Sequence, residues 1–173
     1  MSKLPEISTK RGDSGMTSNY SNERLPKNSA QIKCIGKIDT FNASLGLFQD
    51  EYLPTVQEVL VRLMGEIATA EFNRSWYKGK ITQEDIQSLE DECAKIKKRL
   101  EKEDYKIEGW VRYGGEGQIS AFIDLSSKFC REAEIAIYDF EGIDNKISSE
   151  IKGYINRLSD YLYLLARNYR EIS

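Results

Sequence analysis

The sequence predicts an all-α fold, a left-handed five-helix bundle with an N-terminal ligand-binding arm, and three observations carry that expectation. Apolar residues recur at spacings of three and four over nearly everything after residue 29. No segment sustains the apolar–polar alternation of a half-buried strand. The first 29 residues show neither pattern and are rich in glycine, hydroxyls and charge. At 173 residues with 40% hydrophobic content, the chain fits one domain with a sizeable core, an arm over 1–29 and a bundle over 30–173. Spacing that alternates between three and four favours shallow left-handed crossings over globin-like packing.

The first helix is expected from about Ala30 to Phe48, with Ile35, Ile38, Phe41, Leu45 and Phe48 facing inward. Asp50 and Pro54 mark the turn into a second helix carrying Val56, Leu60, Leu63 and Ile67. A break at Gly79-Lys80 precedes Thr82, whose spacing to Asp85 resembles a capping box with Asp in place of Glu. The third helix then repeats Ile86, Leu89, Cys93, Ile96 and Leu100. The pattern fails between Glu103 and Gly117, where Gly109, Gly114, Gly115 and Gly117 mark a flexible loop. Ile119, Phe122, Ile123, Phe129, Cys130, Ala133 and Ile137 form the fourth stripe, and a Gly142-Ile143-Asp144 turn follows. The last helix is the most regular, with Ile147, Ile151, Tyr154, Leu158, Tyr161 and Leu165 in a heptad-like register. Its tyrosines, Tyr154, Tyr161, Tyr163 and Tyr169, point in more than one direction, as on a helix that also meets another subunit or as ordinary surface tyrosines.

The arm runs Thr9-Lys10-Arg11-Gly12-Asp13-Ser14-Gly15-Met16-Thr17-Ser18. Glycines let backbone amides turn toward an anion, hydroxyls add donors, and Lys10 and Arg11 add charge, a combination that suits a polyphosphate. The same residues also describe a frayed, solvated terminus.

Composition narrows the chemistry. The net charge of −3, with basic residues scattered among acidic ones, gives no stripe for a nucleic-acid backbone. No apolar run is long enough for a bilayer, and no signal-peptide segment opens the chain, so a soluble cytoplasmic protein is expected. Cys34, Cys93 and Cys130 are far apart, odd in number and set in apolar helical patterns, as reduced core residues are. The absence of histidine excludes Ser-His and Cys-His nucleophiles, imidazole acid–base catalysis and most zinc sites. Polar residues interrupt the helical stripes at Asp39, Asn42, Arg131, Glu134, Asn156, Arg157 and Asp160. Asp39 or Asp160 paired with Arg131 or Arg157 would account for some of these; a single ligand site would account for all.

Five blocks, in order, carry a resemblance. They are Thr9-Lys10-Arg11-Gly12-Asp13-Ser14-Gly15-Met16-Thr17; Arg24-Leu25-Pro26-Lys27; Gly36-Lys37-Ile38-Asp39-Thr40-Phe41-Asn42-Ala43-Ser44-Leu45-Gly46; Cys130-Arg131-Glu132-Ala133-Glu134; and Asn156-Arg157-Leu158-Ser159-Asp160-Tyr161-Leu162. Together they resemble the PduO-type ATP:cob(I)alamin adenosyltransferase family over almost the whole chain. The resemblance implies a trimer of five-helix bundles with active sites between subunits. It implies ATP held by Thr9, Lys10, Arg11, Gly12, Thr17 and Ser18 with Lys27, and further nucleotide contacts from Arg131, Glu134 and Asn156. Asp13 would order the loop or help place Mg²⁺, and the corrin would lie over an apolar floor at the adjacent subunit. Arg131 and Asp39 are the residues to which it assigns the catalytic work. It further implies a flavoprotein reductase as electron source and an adenosylcobalamin-dependent enzyme as recipient of the product. By the family's mechanism cob(I)alamin attacks the 5′ carbon of ATP and expels triphosphate, so no general base is needed. A carrier or sensor that binds ATP or a corrinoid without catalysis is the alternative, and a plain helical scaffold is a third reading.

The chain departs from the family's pattern at three places. Ser127 stands where the family carries an arginine that pairs across the subunit boundary with the aspartate matched by Asp39, and Lys128 is its neighbour. Ile123-Asp124 replaces a Leu-His pair. Trp110-Val111-Arg112-Tyr113-Gly114-Gly115 replaces a phenylalanine and Pro-Gly-Gly loop that closes the corrin pocket.

Overall fold

Local hydrogen bonding sets where the elements of this chain begin and end. The computed structural model describes residues 10, 12–106, 111–142 and 146–170. A short antiparallel pair, β1 (Met16–Ser18) and β2 (Arg24–Pro26), precedes α1 (Ala30–Ser44). Ser29 caps α1 by accepting from the Ile32 amide. The helix ends at Ser44 rather than Phe48, where the chain tightens into a 3-10 turn at Leu45–Leu47 and the Ser44 hydroxyl donates to the Phe41 carbonyl at 2.7 Å. The Asp50 carboxylate then accepts from the Tyr52 amide at 3.0 Å, and α2 (Leu53–Ala68) starts with Pro54 in its first turn, where no amide is missed. A single helical turn, α3 (Glu71–Arg74), leads toward α4 (Gln83–Lys102). Thr82 and Asp85 form the expected reciprocal capping box at its start. Gly117, at a φ of 106° that only glycine adopts readily, opens α5 (Gln118–Glu141), and Ser148 caps α6 (Ser149–Asn168).

The five long helices close on one another. α5 packs between α1 and α6, α6 lies against α4, and α1 lies against α2. Arg62 with Asp85, and Tyr52 with Ser88 at 2.8 Å, join α2 to α4 and complete the ring. Ile38, Phe41, Leu60, Leu63, Ile67, Leu89, Ile123, Ile137, Tyr154, Leu158 and Tyr161 are sealed at its centre. Burying each large apolar side chain contributes roughly 1.5–3 kcal/mol, which offsets the ordering of the helices that carry them. Ile119 is the exception among the expected inward positions; it is 45% exposed, and Ser120, Ile123 and Asp124 turn inward instead. The three cysteines are free, as expected. Burial pushes the thiol of Cys34 up to about 12 and that of Cys93 up to about 11, so both stay protonated at neutral pH.

The tyrosines of α6 are used inside the chain. Tyr154 and Tyr161 are fully buried, and Tyr161 and Tyr169 both donate to the Asp50 carboxylate, each at 3.1 Å. Large apolar side chains left exposed include Ile119, Leu125, Ile135 and Tyr138 on α5, and Tyr20, Leu47, Val61, Trp76 and Tyr113 elsewhere on the surface.

Tyr77 is a peg in a slot made by two glycines. Its hydroxyl donates to the Arg62 carbonyl at 2.9 Å. A Cβ on Gly65 would meet that hydroxyl oxygen at 2.1 Å and one on Gly79 would meet it at 2.7 Å. Gly65→Ala is therefore expected to cost about 1–3 kcal/mol of stability, read as a lowered urea midpoint at unchanged slope, because the Tyr77 ring must leave the slot and give up its bond to the Arg62 carbonyl.

Candidate functional site

The arm supplies the first cluster. Gly12 and Gly15 border a turn closed by the Gly15 amide on the Gly12 carbonyl at 3.2 Å, and the Lys27 amide donates back to the Gly15 carbonyl at 2.9 Å. A Cβ on Gly12 would lie 3.0 Å from the Lys27 ammonium nitrogen, so that cation lies close against the turn. Lys10 holds the left-handed region at φ 55° and Gly15 does so at 76°. Lys10 and Asp13 are exposed, and Thr17 and Ser18 follow on β1, paired with Leu25 and Arg24. Thr9 and Arg11 lie outside the described residues. The strand pair escapes a periodicity search because three residues per strand are too few to show alternation.

A second cluster sits on the α5 and α6 surface. Glu134 accepts a long hydrogen bond from the Asn156 amide group at 3.4 Å, and Arg157 donates to Asn156 at 3.0 Å. Arg131 is exposed one turn earlier on α5 and forms no ion pair among the described residues. Asp39 is exposed on α1 and is likewise unpaired there. The pairing of Asp39 or Asp160 with Arg131 or Arg157 is not found: Arg157 turns toward α4 and pairs with Glu90 at 2.9 Å. The contact joining α1 to α5 beside Asp39 is Lys37 with Glu132 at 2.6 Å. Among the described residues no hydrogen bond or ion pair brings the arm onto Arg131, Glu134 or Asn156.

The departures in α5 have a structural counterpart that sequence reading missed. Asp124 is buried and paired with Arg167 of α6 at 2.5 Å, and Arg167 Nε lies 2.6 Å from the carboxylate of Glu116. Arg167 is fully buried. Its guanidinium also lies 4.9 Å from the Tyr163 ring centroid, and Tyr105 donates to Glu116 at 2.5 Å. Burial, with Glu116 as acceptor, pushes the Tyr105 hydroxyl up to about 12. Burial also raises the Asp124 carboxyl above the usual aspartate range, with Arg167 working against the rise. Ser127 is buried beside this group and donates to the Asp124 carbonyl at 2.7 Å, and Lys128 lies over the Tyr113 ring at 4.9 Å. Lys128 is thus engaged within the chain, and Arg167, the partner of Asp124, faces inward. Trp110 lies outside the described residues, while Val111 is half-buried at the mouth of the same loop. The only sequence signal was an arginine four residues after a tyrosine, with two carboxylates placed elsewhere to meet it.

The chain is a helical bundle preceded by a glycine-and-lysine arm, with an arginine, a glutamate and an asparagine on two adjacent helices. The chain belongs to the Cobalamin adenosyltransferase family, which it matches over residues 7–169. It is 28% identical to the cobalamin adenosyltransferase of Cupriavidus metallidurans, over 95% of this chain and 88% of that protein. It is 25% identical to the human corrinoid adenosyltransferase MMAB over 95% of this chain and 69% of that one. It spans 48% of the length of the corrinoid adenosyltransferase PduO of Salmonella typhimurium, at 27% identity over 93% of this chain. Among solved structures, a variant of the PduO-type ATP:corrinoid adenosyltransferase of Lactobacillus reuteri, complexed with cobalamin and ATP, superposes with a TM-score of 0.80 over 94% of this chain and 92% of that one, at 24% identity. A second variant of that protein, complexed with ATP, gives a TM-score of 0.78 at 25% identity, over the same 94% of this chain and 92% of its own.

Proposed function

We infer that the chain transfers the 5′-deoxyadenosyl group of ATP to a cob(I)alamin-type corrinoid, releasing triphosphate. The observation that carries this reading is the arm: a glycine turn with the Lys27 ammonium seated against it, in a chain that matches the adenosyltransferase family from the arm to the end of α6. The proposed site joins Lys10, Gly12, Asp13, Thr17, Ser18 and Lys27, with Thr9 and Arg11, to Arg131, Glu134 and Asn156. The proposal takes the two clusters as meeting across a subunit boundary in a homotrimer. The exposed apolar side chains of α5 support an interface. The arm over 1–29 serves as the nucleotide-holding part and 30–173 as the bundle, in the cytoplasm; no helix among the described residues is long and apolar enough to cross a membrane.

In this reading the cobalt electron pair of the corrinoid forms the bond to C5′, and the C5′–O bond breaks with its electrons going to triphosphate. The corrinoid substrate is itself a strong nucleophile, so the chain has no proton to abstract, which agrees with a sequence that contains no histidine. The chain's work is to hold the 5′ carbon in line and to neutralise charge on the leaving oxygen. Backbone amides of the glycine turn, Lys10, Lys27 and Arg131 do the second. Glu134 and Asn156 orient the nucleoside end, and Asp39 lies at the proposed subunit boundary without the family's arginine, whose place Ser127 takes. Among the described residues no group of three His, Cys, Asp or Glu side chains converges on a metal site. Mg²⁺ therefore fits as an ion carried mainly by phosphate oxygens, with Asp13 adding one carboxylate, and it would supply further charge neutralisation.

Incubating the protein with ATP, Mg²⁺ and chemically reduced cobalamin is expected to produce the adenosylcobalamin absorption spectrum. ATP binding by calorimetry without that product would favour the carrier or sensor reading. No ATP binding would favour a scaffold.

A further inference from the structure

We propose that Ser21 is the positioning residue of the nucleotide arm, fixing the β1–β2 hairpin to the bundle through a socket formed by segment 69–81. The inference rests on the assignment of the arm to ATP. Two strands of three residues do not hold their shape alone. What holds this pair is its tip. The Asn19 side-chain oxygen accepts from the amides of Ser21 and Glu23, each at 3.0 Å, and its nitrogen donates to the Glu23 carboxylate at 2.7 Å. Asn22 takes the left-handed region at φ 63°, as the reversal demands.

The tip is then attached to two helix ends at once. The Tyr20 amide donates to the Ala68 carbonyl at 2.9 Å, at the last residue of α2. The Ser21 hydroxyl oxygen accepts from the Ala70 amide at 3.0 Å and from the Asn73 side chain at 3.3 Å, at the start of α3. A carbonyl at the end of one helix and an amide at the start of the next have no partners in their own helices, and the hairpin tip supplies them. The Tyr20 ring meets the Tyr77 ring edge-on at 6.2 Å, and Tyr77 is the peg held between Gly65 and Gly79. Thr17 and Ser18, the arm residues assigned to ATP, directly precede this tip, and Lys27 directly follows β2. Releasing the tip leaves the phosphate-holding groups chemically intact but unordered, so each binding event must order them.

Ser21→Ala is expected to raise the KM for ATP about tenfold, leave kcat within about twofold and leave the corrinoid KM unchanged. Amides of 16–26 should exchange hydrogen about tenfold faster in the ligand-free variant, with α5 amides unchanged. Ser21→Thr, which keeps the acceptor, should restore both. Ala70→Pro removes the donor of the same bond; Ala70 has φ −57° and Thr69 is extended, a backbone conformation that suits proline, and the same two effects are expected. Unchanged hairpin exchange in both Ser21→Ala and Ala70→Pro overturns the anchor. So does a fall in kcat at unchanged KM. If the wild type itself binds no ATP, the assignment of the arm fails, and the exchange data still decide whether Ser21 holds the hairpin.

Discussion

Arg131→Ala is expected to weaken ATP binding about 100-fold, by calorimetry, with circular dichroism and thermal midpoint unchanged. The two halves of that outcome come from the same observation. Arg131 is exposed on α5 and is not committed to any carboxylate of its own chain among the described residues, so its removal opens no cavity and strands no partner. Its guanidinium is free to meet phosphate oxygens, where a planar fork of donors makes paired, charge-assisted hydrogen bonds. Arg131→Lys keeps the charge and loses the fork, and should fall between wild type and alanine. An unchanged affinity in Arg131→Ala would remove this residue from the site.

Arg167→Met is expected to have the largest effect on stability, about 3–5 kcal/mol, because it leaves Asp124 and Glu116 without their common cation. The effect should depend on pH. Burial already holds the Asp124 carboxyl above its usual range, against the pull of Arg167. A carboxyl whose pKa is higher folded than unfolded adds stability as pH falls through the folded value and loses it as pH rises. Without Arg167 that folded value climbs further, so the deficit should be largest near about pH 8 and shrink toward about pH 5. Urea titrations at the two pH values measure it. A deficit that grows on acidification would contradict the pairing of Arg167 with Asp124.

The helices were legible because their burial is periodic. Ile38, Phe41, Leu60, Leu63, Leu89 and Leu158 lie on the faces their spacing dictates, and Thr82 with Asp85 caps α4 as the short motif indicates. Ile119 misled because a stripe has no inherent end, and the first turn of α5 is governed by the ionic group beneath it rather than by apolar packing. Arg167 was illegible for a related reason. Its burial is decided by Glu116, Asp124 and Tyr163 on three separate stretches of chain, and no local pattern marks such a meeting. The strand pair was hidden by its brevity, and its stability comes from Ser21 and segment 69–81 rather than from its own side chains. The candidate site was legible only through ordered blocks of residues, since Lys10, Lys27, Arg131 and Asn156 taken singly look like any exposed polar side chain.

The place of α6 carries a consequence for how the chain is made. Its Tyr154, Tyr161 and Arg167 are among the bulkiest side chains in the centre of the molecule, and Tyr161 and Tyr169 reach back to Asp50. Until that helix leaves the ribosome, α4 and α5 expose the faces it will cover. The nascent chain must therefore wait in a partly open, chaperone-accessible state, and a pause in translation anywhere between α5 and α6 lengthens the interval in which it is vulnerable.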